Sequence, residues 1–108
     1  MSSPIDIVAI ITPKPGKADR VQELLTAAAA SVKANEPGTL RYHLHRESKG
    51  DKPIFIMLET YKDQQALGAH AASSSFKEMG RTFKKEDLLA EPMRVHFTKE
   101  VGGYASKL

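Results

Sequence analysis

Two segments, "IDIVAIIT" over Ile5–Thr12 and "IFIMLETY" over Ile54–Tyr61, are the strongest constraint on the fold. Successive side chains of a strand point to opposite faces, so a run that is apolar at consecutive positions predicts a strand covered on both. The first run is β-branched apart from Asp6 and Ala9, and the second is apolar on both faces at its start. Between and after them the period changes. From Lys17 to about Asn35, the residues Val21, Leu24, Leu25, Ala28 and Val32 fall on one helical stripe. "NEPG" ends that helix, because Pro37 pushes Glu36 out of helical dihedrals and Gly38 supplies freedom for the turn. Leu40 to Glu47 alternates, with Leu40, Tyr42 and Leu44 on one face and Arg41, His43 and His45 on the other. Gly50-Asp51 is the expected hairpin turn. Asp63 is the expected N-cap of a second helical region, which bends or breaks around "AASSS" and resumes through Phe76, Met79 and Phe83. Met93 to Lys99 alternates as a fourth strand.

The order βαββαβ predicts an α+β, ferredoxin-like fold with a four-stranded antiparallel sheet. Residues 1–100 form the domain, and 101–108, "VGGYASKL", form a flexible tail. Two helices can cover one face of such a sheet. The other face carries apolar residues too and needs a second layer. A second copy of the same sheet provides it, so we expect a homodimer with two sheets face to face.

Composition removes several classes of function. Apolar residues are 41% and charged residues 27% of the 108, the balance of one globular domain rather than a disordered chain. The net charge is +3 but scattered. Its densest stretch, Arg81, Lys84 and Lys85, is followed at once by Glu86 and Asp87, so no nucleic-acid partner is expected. The longest apolar stretch, Ile54 to Leu58, is far too short to span a bilayer, and "MSSPIDIV" lacks a secretory pattern. With no cysteine, thiolate catalysis and cysteine-bound metal are excluded.

Four stretches then carry a resemblance: "PGKADRVQELL", "EPGTLRYHLHRE", "PIFIMLETYKDQQALGAH" and "HAASSSFKEM". In this order and spacing they resemble the antibiotic biosynthesis monooxygenase domain of the dimeric α+β barrel superfamily, from about Ile5 to Phe97. The most specific pieces are Glu36-Pro37-Gly38, Glu59-x-Tyr61 and His70-x-x-Ser73-x-x-Phe76. The resemblance implies a dimeric barrel and a choice of activities: cofactor-free oxygenation of quinols and phenols, haem degradation, isomerisation of a signalling sugar. Haem-degrading relatives share a strand-one Asn, a helix-two Trp and a later haem-ligating His. Ala9, His70 and Gly80 stand there in this chain, so haem degradation is not expected.

His70 is the leading catalytic candidate, because imidazole exchanges protons near neutrality and the small residues of "LGAHAASSS" leave space beside it. Cofactor-free oxygenation makes a particular demand. Dioxygen is a triplet, so a singlet substrate reacts only after becoming an electron-rich phenolate or enolate that can pass on one electron. The protein must remove a proton, stabilise the anion and exclude water. We therefore expect no cofactor, a small electron-rich aromatic, quinol or enolisable substrate, His70 as general base, and Tyr42, Tyr61, Ser73 and Phe76 around the substrate. Tyr42 and Phe76 also read as core residues, and His70 as a brace for the interrupted helix. An isomerase or cyclase, or a small-molecule-binding protein without turnover, would use the same pocket. His43 and His45 have the spacing of two metal ligands, with His96 a third only if it points the same way; a charged rim is the plainer reading. Glu59, in an apolar strand, must be paired or exposed.

The tail ends in Ser106, Lys107 and Leu108, the tripeptide that a peroxisomal import receptor reads at a C-terminus. This predicts a peroxisomal location and a eukaryotic source, with the cytoplasm as the alternative.

Overall fold

The period changes in the sequence become seven elements in the computed structural model, which describes residues 3–107. They are β1 (Ile5–Ile11), α1 (Ala18–Asn35), β2 (Thr39–Arg46), β3 (Phe55–Tyr61), α2 (Gln64–Ala72), α3 (Ser74–Lys85) and β4 (Arg94–Thr98). The sheet is fully antiparallel in the order β2-β3-β1-β4. The two doubly apolar strands, β1 and β3, take the centre, as expected of strands with no polar face.

One face packs under the helices. Val21, Leu25, Ala28 and Val32 of α1 and Met79 and Phe83 of α3 are buried, with Ala9, Ile11, Phe55 and Met57 of the sheet beneath. Burying the valine, leucine, isoleucine, phenylalanine and methionine side chains among them contributes about 1.5–3 kcal/mol each. The "AASSS" interruption is one residue wide. Ser73 has extended backbone dihedrals, and its hydroxyl accepts from the Phe76 amide at 3.2 Å, capping α3 where α2 ends. Asp63 caps α2 in the same way, accepting from the Ala66 amide at 2.9 Å.

Among the described residues no helix lies on the opposite face. Val8, Ile10, Ile56 and Leu58 lie half-buried at its centre, flanked by Arg41, His43 and His45 on β2 and by Arg94 and His96 on β4. His43 and His45 sit edge to face, with centroids 4.8 Å apart. His96 shares their face but lies on the far edge, three strand spacings or about 14 Å away. Among the described residues no group of three or more His, Asp or Glu could hold a metal ion, so these histidines do not converge within one chain.

Leu40 departs from the alternation. A register shift between Thr39 and Arg41 makes Leu40 the extra residue of a bulge, and it is 58% exposed instead of facing in with Tyr42 and Leu44. In the tail, Ser106 and Lys107 are exposed and the Lys107 ammonium lies over the Tyr104 ring; Leu108 is outside the described residues. No helix among the described residues is long and apolar enough to cross a membrane.

Candidate active site

The site begins with a turn. α1 must reverse into β2 within three residues, and Gly38 brings that turn hard against α2. A Cβ added at Gly38 would lie 2.6 Å from the Ala66 Cβ, closer than real carbon atoms approach. The Gly38 carbonyl also accepts from the Lys62 amide at 2.8 Å, tying the turn to the end of β3. This close approach carries Glu36 to the inner side of α2.

There it meets His70. The imidazole Nδ1 is 2.8 Å from Glu36 Oε1, and both side chains are almost fully buried. Thr39 Oγ1 donates to the same oxygen at 3.1 Å. A carboxylate can only accept, so it holds the proton on Nδ1 and leaves the lone pair on Nε2. The dyad therefore presents the tautomer a general base requires. No buried polar side-chain atom among the described residues lacks a partner. No hydrogen bond within the described chain reaches Nε2, so this nitrogen keeps a narrow access.

Three aromatic rings surround the imidazole. Tyr42, Tyr61 and Phe76 have centroids 5.3, 5.4 and 5.0 Å from it, all tilted. Tyr61 is fully buried, and its hydroxyl donates to Glu59 Oε1 at 2.5 Å. Burial pushes both phenols upward, with the Glu59 and Glu36 charges adding to it. Burial likewise raises the Glu59 carboxyl, against the opposing pull of the Tyr61 hydrogen bond and the nearby imidazole. Burial thus shifts all three groups toward their neutral forms.

The structure brings His70, Tyr42, Tyr61 and Phe76 together around one ring. Ser73 is adjacent in chain but differently occupied: its hydroxyl donates to the His70 carbonyl at 2.8 Å while capping α3. The open space expected beside the imidazole lies elsewhere. Ala66, Ala69 and Ser73 line a cleft of about 430 Å³ whose other walls include Glu36 and Gly38, whereas the imidazole turns inward and is 5% exposed. Two members of the cluster are additions to the sequence reading of the site. The sequence shows Glu36 as part of a turn and of the Glu36-Pro37-Gly38 motif, and Glu59 as a polar interruption in a strand and part of Glu59-x-Tyr61, but neither as a site residue. A buried acid needs a partner, and that rule joins Glu59 to Tyr61.

A histidine–carboxylate dyad set among aromatic rings in an α+β domain is an arrangement with the chemistry to exchange a proton. The comparisons name its family. Residues 4–82 match the model of the family described as antibiotic biosynthesis monooxygenase. The Bacillus subtilis protein "Putative monooxygenase YcnE" is 33% identical over 81 residues, which are 73% of this chain and 82% of that one. A crystal structure of a "putative antibiotic biosynthesis monooxygenase" from Caulobacter crescentus superposes with a TM-score of 0.82 at 30% identity, covering 94% of this chain and 92% of the other. A Pseudomonas aeruginosa protein gives 0.82 at 29% identity, covering 94% and 98%. The chain belongs to the antibiotic biosynthesis monooxygenase family.

Proposed function

We propose that the protein is a cofactor-independent monooxygenase for a small electron-rich aromatic, quinol or enolisable substrate, with His70 as general base. The observation that carries this reading is the buried 2.8 Å contact between His70 Nδ1 and Glu36, which frees Nε2 to take a substrate proton. Neutral phenols and apolar rings around the imidazole suit a delocalised organic anion and exclude water from it. For a phenol the electron balance needs no added reductant. Dioxygen adds to the ring carbon of the phenolate, the O–O bond then breaks, one oxygen atom remains as the new carbonyl of a quinone, and the other leaves as water with the two hydrogens lost by the substrate.

The test is an oxygen electrode with a panel of phenols and quinols and no flavin, haem or metal added. Oxygen uptake with product formation is expected, and His70→Ala should lower it on the order of 10²–10⁴-fold. Absence of uptake across the panel would sink the proposal. Turnover unchanged in the absence of dioxygen would assign the site to an isomerase or cyclase, and ligand-induced thermal stabilisation with no product would assign a binding protein.

Two further proposals concern context. A homodimer formed through the uncovered sheet face is supported by the half-buried Val8, Ile10, Ile56 and Leu58. Where Leu108 is the terminal residue, peroxisomal import is supported by the exposure of Ser106 and Lys107. A fluorescent fusion that is punctate with the intact tripeptide and diffuse without Leu108 is the expected result; diffuse signal from both contradicts it.

A further inference from the structure

Two cross-strand rows on the uncovered sheet face read alike from either edge. His43, Leu58, Val8 and His96 pair in one row across β2, β3, β1 and β4, and His45, Ile56, Ile10 and Arg94 pair in the next. Directly paired residues share a face, so each row is basic at both ends and apolar at its two middle positions. The end residues are exposed and the middle ones half-buried. A surface with this symmetry complements itself, which is what a twofold interface asks of both copies.

A twofold axis that runs along the strands, above the boundary between β3 and β1, exchanges the sheet edges and keeps each row at its own height. Apolar middle then lies on apolar middle, with the sheets about 10 Å apart and side chains of both filling the gap. Histidines that stand at opposite edges of one chain thereby meet across the pair. The partner's His96 faces His43, and the partner's Arg94 faces His45. Both meetings need uncharged imidazole. A neutral ring has one donor and one acceptor, so two neutral rings can bond to each other and a neutral ring can accept from a guanidinium. An imidazolium has no acceptor, and it repels a second imidazolium or an arginine.

The fixed charges around these histidines roughly balance, so the imidazoles carry the change. Arg41 shares their face on β2, and Lys99 and Glu100 line a recess with Arg41 and Asp6 at one end of it. The acids are already engaged. Asp6 accepts from the Thr60 hydroxyl at 2.7 Å, Glu47 accepts from the Ile54 amide at 2.9 Å, and Glu91 pairs with Arg94 at 3.2 Å. The β3 side chains of this face, Ile56, Leu58 and Thr60, carry no charge. His43 and His45 already touch edge to face at 4.8 Å. Among the described residues His70 is the one histidine in an ion pair.

We propose that this face is a pH-gated interface between two copies of the chain, closed while His43, His45 and His96 are neutral and opened by their protonation. The inference rests on the homodimer proposed above and adds its regulation. Imidazole is the side chain whose charge ordinarily changes between pH 8 and pH 5. The separated copies bind more protons than the pair, so a falling pH favours them. Loss of one buried hydrogen bond of this kind weakens association roughly tenfold, and the twofold axis repeats the loss, giving about 10²-fold.

The test is sedimentation equilibrium of the full chain over a micromolar concentration series at pH 8 and at pH 5. We expect a dimer at pH 8 and a dissociation constant at least about 10²-fold weaker at pH 5. The triple variant His43→Gln, His45→Gln and His96→Gln changes exposed positions only and keeps a neutral donor and acceptor at each. Its affinities at the two pH values should agree within about threefold. Equal affinity of the unaltered protein at both pH values overturns the gating and leaves the dimer standing. A triple variant as acid-sensitive as the unaltered protein overturns it equally, by moving the titration to other groups. A monomer at pH 8 refutes the dimer itself, and the gating with it.

Discussion

His70 and Glu36 are 34 residues apart in sequence, and their side chains meet at 2.8 Å in a nearly dry interior. Neither residue can do the same work singly. A lone buried imidazole rotates and changes tautomer, and a lone buried carboxylate costs several kcal/mol. Glu36 is accordingly a positioning residue. Glu36→Gln keeps the shape and can still accept at Nδ1, but it loses the charge that stabilises the imidazolium formed when Nε2 takes a proton. The expected outcome is a fall in kcat on the order of 10²-fold with KM little changed. A purely structural role would move the melting temperature and leave kcat per folded molecule intact.

The same meeting depends on Gly38. Its missing side chain lets the turn close on Ala66, where an added Cβ would be 2.6 Å from the Ala66 Cβ. Gly38→Ala should destabilise the fold by about 1–3 kcal/mol, the usual cost of overpacking, and should also lower activity by moving Glu36 away from the imidazole. Adding Ala66→Gly removes the opposing carbon and should restore most of the activity and part of the stability. Additive losses in the double variant would show that the contact does not set the dyad.

Burial raises the Glu59 carboxyl above its ordinary value, and the Tyr61 hydrogen bond only partly offsets this. A folded-state pKa above the unfolded one contributes stability that is fully present below the unfolded value, about 4.3 for glutamate. That stability is lost as pH rises through the folded value. Glu59→Gln holds the neutral form at every pH. Relative to the unaltered protein, its melting temperature should be higher at pH 8 than at pH 4. A difference between the two proteins that is constant from pH 4 to pH 8 would exclude the shift.

Ser73 separates α2 from α3 with a single extended residue, and its hydroxyl caps the second helix at the Phe76 amide. Ser73→Ala should cost about 1 kcal/mol, or roughly 4–8 °C in melting temperature for a domain near this size. A larger loss of activity than this destabilisation explains would instead place the hydroxyl against substrate, as the sequence motif suggests.

How far the sequence reaches depends on the range of the physics involved. β1, α1, β3 and the break at Ser73 follow from periodicity and capping, which act within a few residues, and each lies within about one residue of expectation. Leu40 fails the same reasoning, because a bulge is decided by pairing with β3 and leaves no mark in a stretch that alternates cleanly. His70 stands out locally as a titratable group among alanines and serines. Glu36 does not, since its role exists only once Gly38 docks on α2. Cross-strand register is less legible still: Tyr42, Glu59, Ile7 and Phe97 pair in one row across four strands, and no spacing along the chain encodes it.

The uncovered sheet face leads to the last prediction. Val8, Ile10, Ile56 and Leu58 form a half-buried apolar centre that no helix among the described residues covers, and Arg41, His43, His45, Arg94 and His96 rim it. Apolar centres with polar rims are the anatomy of an interface between copies, and a twofold axis through this face would pair each sheet with itself. Leu58→Glu would place a charge in the middle of the contact, at a cost of several kcal/mol if it stays buried. Sedimentation at micromolar concentration should show a dimer for the unaltered protein and a monomer for the variant. A stable monomer of the unaltered protein would refute the dimer and leave the apolar centre of this face without a role.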